Sequence, residues 1–489
     1  MSNLSDLLPA GGGGKQVDFV ASGTIGNGAT VVLNGDGTVS VVADITTNQA
    51  AGTPVVYASA YAFIISSAYA INAQRVVVVY LDNNNSNYAK YVLGTVSGTN
   101  ISFGTPVVFN SGNIYDLRCF YEPNAEKVVI AYRDSGNSLY GTAVVGSVSS
   151  TSISFGIPVV FQNSNSLPYG ITYDITTQQI IILYQGGNNG YGTAVVGAVS
   201  GTSISFGTPV VFNSANSSNM SIAYDSTNGK VFIAYRNNGV TPSDGTAIIG
   251  TVSGTSISFG TPVVFITNFN YVLSVYDSAA QKIVIVHDIG TGGTVAKVGT
   301  ITGTSVAFGS AIALPNTNFS YNTFNLLYAS IVYDSNASKI VVTAPDGNDG
   351  TKGKLTVGTV TGSSISFGSV VTFETGGTAY HAACFDSVLN KVVISYHDTG
   401  NSSYGTSVVF QNDSVDTNLT ASNFIGISDS AISDTATGSV TIKGGVSTNV
   451  TGLTPNVDYY VQNNGSLSTT VSSVPAGKAL SSTSILLKG

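Results

Sequence analysis

The chain has 489 residues, of which 43% are apolar and only 9% charged, against about 25% in an average globular protein. A net charge of −8 with 17 Lys and Arg excludes a nucleic-acid binder, which needs a basic footprint on phosphates. Abundant Val, Ile, Phe and Tyr at low charge exclude disorder, and the two cysteines, Cys119 and Cys384, exclude a disulfide framework or a structural zinc site and read as buried free thiols.

Taken in chain order, the opening "MSNLSDLLPAGGGGK" lacks the cationic and apolar regions of a secretory leader. Residues 17–42 follow, with NG and DG hairpin signals. The charge-free run after Asp44 reads as strands, because Gly52, Pro54 and several serines interrupt it. No membrane insertion is expected.

From there the sequence repeats itself. Residues 94–109 read "GTVSGTNISFGTPVVF" and 250–265 read "GTVSGTSISFGTPVVF", with further copies starting at Gly146, Gly197, Gly299 and Gly358. The Phe of the SFG tripeptide falls at 103, 155, 206, 259, 308 and 367. Each copy is preceded by an aromatic–acid pair, a turn, and a basic or polar residue leading an apolar run, as in "YDSTNGKVFIAYR" (224–236). These runs follow Arg75, Lys127, Gln179, Lys230, Lys282, Lys339 and Lys391, giving seven units. Every unit holds four short runs rich in β-branched and aromatic residues, bounded by Asn, Gly, Asp and Ser.

Four strands repeated every ~50 residues predict an all-β fold, a seven-bladed β-propeller of four-stranded blades. The last unit stops without its SFGTPVVF strand, and "GTPVVY" (52–57) precedes the first unit. The N-terminal segment is therefore predicted to close the ring by supplying the missing outer strand. The expected divisions are 1–36 as an N-terminal attachment segment, 37–411 as the propeller, and 412–489 as a small C-terminal β domain.

The units differ most in the connections between units and in the turns from second to third strand, which a meander sends to one face. Loops held by a rigid scaffold commonly carry binding residues, and Asn with Tyr suits sugar hydroxyls and ring faces. The candidate ligand-binding residues are Tyr115, Tyr140, Tyr169, Tyr191, Arg236, Tyr271, Tyr321, Tyr380 and Tyr404, with Phe269, Phe319 and Phe324 nearby. The absence of Trp weakens the sugar reading.

No catalytic residue is expected, so the chain reads as a non-enzyme. The acids near this face (Asp82, Asp116, Asp134, Asp244, Asp288, Asp346, Asp398) include several at one repeat position, which points to a turn role. Arg118, Arg133 and Arg236 are the arginines near it. The loops 134–141 and 398–405 read as hairpin turns rather than Ca²⁺ sites, and His287, His381 and His397 as structural, so neither metal nor cofactor is expected.

The flanks carry a resemblance. The opening "NLSDLLPAGGGGKQVDFVASGTIGNGATVVLNGDGTVSVV" resembles the start of tail-fibre and virion structural proteins of tailed bacteriophages. The ending "NFIGISDSAISDTATGSVTIKGGVSTNVTGLTPNVDYYVQNNGSLSTT", followed by "AGKALSSTSILLKG", is similar to a C-terminal module of the same proteins. The resemblance implies a virion protein, made in the bacterial cytoplasm and acting at the host cell surface. Its implied partners are other virion proteins, a host cell-surface glycan or protein, and further copies of itself. A tail fibre or receptor-binding protein is the main expectation. A head decoration or tail-assembly protein and an envelope polysaccharide-degrading enzyme are the alternatives.

Overall fold

A computed structural model describes residues 15–187, 189–268, 270–289, 293–315 and 329–489. The fold is all-β, and the described residues contain strands and short 3₁₀ turns but no α-helix. The chain divides into two compact units, Gln49–Asn412 and a second made of the chain up to Asn48 together with Asp413–Gly489.

The inner unit, Gln49–Asn412, is built from antiparallel meanders. In one of them Val210–Asp225, Lys230–Asn237, Asp244–Ser253 and Ser256–Phe259 pair in succession. Turn chemistry fixes the register. The Asp225 carboxylate accepts the backbone N–H groups of Thr227 and Asn228, both at 3.0 Å, in an Asx turn. Asp174, Asp277, Asp334 and Asp386 do the same, and Glu122 receives the N–H groups of Asn124 and Ala125. This is why an acid recurs ahead of the turn in six of the seven units, Ala70 standing in the first. The preceding tyrosine reaches the neighbouring unit: Tyr224 donates to Asp174 at 2.6 Å, and Tyr276 donates to Thr227 at 2.7 Å.

The SFG segments join unit to unit. Phe109 meets Phe155, Phe161 meets Phe206, and Phe212 meets Phe259, with ring centroids 5.2, 5.7 and 5.5 Å apart. The glycine after the Phe is required by close approach: a Cβ on Gly207 would sit 1.9 Å from the Thr255 carbonyl oxygen of the next unit's turn. Gly52 stands in the same relation to Thr99, at 1.8 Å, and Tyr57 meets Phe103 at 5.4 Å. The segment 52–57 thus occupies the outer-strand place of the last unit. Its strand, Val55–Ala70, pairs Val55 with Ser407 and Val56 with Thr406, then turns to pair with Arg75–Asp82.

That change of partner corrects one expectation. The connections 162–170, 213–221 and 374–382 are not loops. They lie inside sixteen-residue strands, Val159–Asp174, Val210–Asp225 and Val371–Asp386, each bonded to one unit in its first part and the next in its second. Asn and Ser side chains make this possible. At the crossover Asn213 Nδ2 donates to Ser217 Oγ (2.9 Å), and Ser217 Oγ donates to the Ala215 carbonyl (3.1 Å), supporting the backbone where the ladder changes sides. The innermost strands lie against one another in succession, from Val55–Ala70 through Ile114–Glu122, Val159–Asp174, Val210–Asp225, Val272–Asp277, Ser330–Asp334 and Val371–Asp386, and the last lies against Val55–Ala70.

The outer unit revises the expected division into 1–36, 37–411 and 412–489. The two flanks are one body, and the boundaries fall at 48/49 and 412/413. Gln16–Val20 pairs with Thr437–Ile442, and Thr30–Leu33 pairs with Phe424–Ser428, so one five-stranded sheet draws on both ends of the chain. A second sheet is formed by Val446–Ser447, Ser484–Leu487, Pro475–Ser481, Asp458–Val461 and Leu467–Ser468. Val32, Phe424 and Ile427 pack with Tyr459, Val461 and Ile485 in a shared core, which neither flank could bury alone.

Candidate binding site

The innermost strands of the inner unit surround a cavity of about 200 Å³. Its lining is set by a column of residues four positions before the recurrent acid, or before Ala70 in its place in the first unit: Ser66, Arg118, Ser221, Leu273, Ser330 and Ala382 all face it, with Gly170 in that column replaced at the wall by Tyr169. Two residues earlier the strands bulge. Ile64, Asp116, Asn219 and Tyr380 take left-handed backbone angles, φ 47°, 52°, 48° and 50°, and the register shifts across each. A left-handed β-branched Ile64 is a costly conformation that the surrounding ladder must hold. Pro168 occupies the equivalent place in its unit, where the ring forbids that φ.

Hydrogen bonds tie adjacent inner strands around the cavity. Arg118 Nε donates across to the Tyr169 carbonyl (2.8 Å), while its Nη1 donates to the Leu117 carbonyl of its own strand (2.7 Å). Asn219 Nδ2 donates to the Asn270 carbonyl (2.9 Å), and Ser221 and Ser274 share a hydroxyl bond of 2.8 Å. Ser66 Oγ accepts the Cys119 N–H, and Ser330 Oγ accepts the Ala383 N–H, both at 3.0 Å. Loss of water pulls the Arg118 guanidinium down from its usual value, against the opposing pull of Asp116 and Tyr169. It stays charged, as guanidinium does in proteins.

The second-to-third turns sit at the same end of the inner unit as the crossovers. Gly187 N donates to the Asn165 carbonyl (3.1 Å), Asn238 N to Asn216 (2.9 Å), and Thr399 N to Gly377 (2.8 Å). The expected gathering of variable segments is therefore present, although half of it is strand rather than loop.

Of the candidate residues, Tyr169 and Tyr380 line the cavity with Arg118. The other described candidates do not converge there. Tyr115 lies under the Arg133 guanidinium, 5.2 Å from its centre, while Arg133 pairs with Asp116 at 2.6 Å. Tyr140, Tyr191 and Tyr404 are half-buried at strand starts, opposite Asn165, Asn216 and Tyr61. Arg236 lies opposite Ser218, and the Tyr271 N–H donates to Asp288 at 2.7 Å. Tyr321, with Phe269, Phe319 and Phe324, lies outside the described residues.

Turns and lysines take up three carboxylates of this end. Asp82, Asp134 and Asp346 each accept the N–H two residues on, and Lys90 and Lys354 pair with Asp82 and Asp346 at 2.6 Å. The histidines are internal. His381 bridges Thr343 and Thr378 at 2.9 and 2.8 Å, His287 bonds the Asp288 carbonyl at 2.7 Å, and His397 the Ala62 carbonyl at 2.8 Å. Cys119 and Cys384 are both buried and free.

Sequence reasoning named Arg118 but did not single it out, and it missed Ser66, Asn219 and Ser330. The signal existed: aligned four before the acid (before Ala70 in the first unit), the units read Ser, Arg, Gly, Ser, Leu, Ser and Ala, and only one is charged.

No family model matches the chain, and no curated protein matches it. Among solved structures, it is similar to a mutant of Aleuria aurantia lectin AAL in complex with Fucalpha1-6GlcNAc, at 12% identity and a TM-score of 0.41, covering 66% of this chain and 99% of that one. A complex of the same lectin with alpha-methyl-L-fucoside matches at 12% identity and a TM-score of 0.41, over 66% of this chain and 98% of the other.

Proposed function

We propose that residues 49–412 form a seven-bladed β-propeller, closed by the strand Val55–Ala70, in a bacteriophage virion protein that recognises a host-surface glycan. The protein acts as a tail fibre or receptor-binding protein, and it binds rather than cleaves. The cyclic succession of inner strands and the outer-strand position of 52–57 support the closed ring. The resemblance of both flanks to phage tail-fibre and virion proteins supports the setting.

One observation carries the binding reading. Positions that pack unit on unit are nearly invariant across the repeats, whereas the cavity column carries five residue types in seven units and the turns beside it vary in sequence. A scaffold under packing constraint alone has no need to diversify one end. Asp82, Asp134 and Asp346 at that end are engaged by turns, two of them also by lysines, which supports binding over hydrolysis.

Immunogold labelling of intact virions with an antibody to residues 49–412 tests the setting. Label on the tail or its fibres is expected, and label over the head would replace this reading with a decoration protein. Incubating purified protein with host cells should give binding that disappears after enzymatic removal of surface polysaccharide, without release of sugar fragments.

A further inference from the structure

We infer that the central cavity is a site for an acidic sugar, whose carboxylate is held by Arg118; this rests on the glycan-binding reading above. Three features of the cavity point there. The first is an unbalanced cation. Arg118 faces the cavity, and among the described residues no carboxylate lies within ion-pair distance of it. The acid closest along its own strand, Asp116, is taken by Arg133 at 2.6 Å. A charge withdrawn from water with no ion pair in contact is costly; the two carbonyls and the pull of Asp116 offset part of that cost, and an anion from outside would offset more.

The second is a bias toward donors. Arg118 uses Nε and one Nη1 hydrogen on carbonyls, which leaves the outer edge of the fork available. Ser66 and Ser330 each accept a backbone N–H, so their hydroxyl hydrogens remain to be donated, with no acceptor among the described residues. His381, on the wall, is kept neutral by burial and has both ring nitrogens engaged with threonines. The lining therefore offers a fixed positive fork and hydroxyl donors, and no carboxylate lines it among the described residues.

The third is size and surface. A volume of about 200 Å³ exceeds what an inorganic oxyanion fills, yet lies below the ~300–1,000 Å³ of drug-sized ligand sites. Tyr169 and Tyr380 stand in the wall with Ile64 and Met220, giving apolar faces beside the donors. A single sugar ring bearing a carboxylate fits this mixture, and a guanidinium fork is the side chain suited to planar bidentate recognition of that group.

The test is calorimetric titration of the full chain at low salt with three acidic methyl glycosides (glucuronide, galacturonide and N-acetylneuraminide). Neutral methyl glucoside and galactoside and inorganic phosphate serve as comparators. At least one acidic glycoside should bind roughly tenfold or more tightly than the neutral sugars, the scale of one charge-assisted pair. Arg118→Gln should abolish that preference, and Arg118→Lys should retain part of it. No preference in the native protein for any acidic glycoside overturns the inference without reliance on a variant's folding. Phosphate binding as tight as the acidic sugars also overturns it. Cell binding that survives Arg118→Gln, with an unchanged melting temperature, leaves host recognition standing and removes this site from it. Acidic-sugar binding without cell binding does the reverse.

Discussion

Gly104 and Gly207 occupy the same place in two copies of one repeat, yet their surroundings differ. A Cβ on Gly207 would meet a backbone carbonyl at 1.9 Å, whereas Gly104 has nothing nearer than 3.9 Å. The cause lies in the facing turn. Gly98, Gly201, Gly254, Gly303 and Gly362 take left-handed angles near φ 60° in their turns, but Ser150 stands in that position in the second unit and does not. Its turn closes instead by a Ser149–Ser152 backbone bond of 2.8 Å. Gly207→Ala should therefore cost about 1–3 kcal/mol, as overpacking against backbone does, and Gly104→Ala should stay within about 0.5 kcal/mol. Urea denaturation of the two variants separates them.

The histidines set a pH response at the same scale. Burial pushes His381 down to about 3 and His287 to about 4, from 6.5. The unfolded chain thus binds more protons than the folded one between these values and 6.5. Stability is full above pH 6.5 and falls as pH drops toward 4. Denaturation midpoints from pH 7.5 to 4.5 should decline, and His381→Gln should flatten the decline.

Tyr57 tests the role of one strand. It occupies the place that Phe161 holds elsewhere: each ring lies against the glycine of the facing strand, Gly405 or Gly141, and against an SFG phenylalanine. If Val55–Ala70 is an integral strand of the last unit, Tyr57→Ala should destabilise as much as Phe161→Ala, roughly 3–5 kcal/mol. A much smaller loss for Tyr57 in thermal unfolding would make the strand a loose appendage.

At this scale the sequence was readable wherever one rule repeated. The strand pattern, the acid that seeds the turn in six of seven units, and the outer-strand character of 52–57 all follow from the repeat. The crossovers were misread because "NSANSSNMS" has turn composition. Asn and Ser favour turns through side-chain bonds to nearby backbone, and here they spend those bonds supporting a kinked strand. The cavity was half legible: Tyr169 and Tyr380 were named for their variability, while Arg118 needed the bulge register to show which residues face inward.

The whole molecule is nested rather than serial. Fragment 413–489 alone lacks Gln16–Val20, Thr30–Leu33 and Val39–Val41, three strands of its five-stranded sheet. It should give a poorly dispersed NMR spectrum, and adding a peptide of residues 15–48 should restore dispersion. A folded spectrum without the peptide would contradict the shared core. Fragment 49–412 carries all of its own strands and should melt cooperatively by itself.

Both ends of that inner unit leave side by side. Ala50 pairs with Gln411 in its sheet, while Thr47 pairs with Ser414 in a two-stranded ribbon of the outer unit. The chain therefore departs and returns through one doorway about a strand spacing (~5 Å) wide. Any module whose own ends meet at that spacing could be spliced into the same doorway and leave the host body unaltered. Recombination at two short sites would therefore exchange residues 49–412 as a whole while the strand pairings of the flanks stay in place.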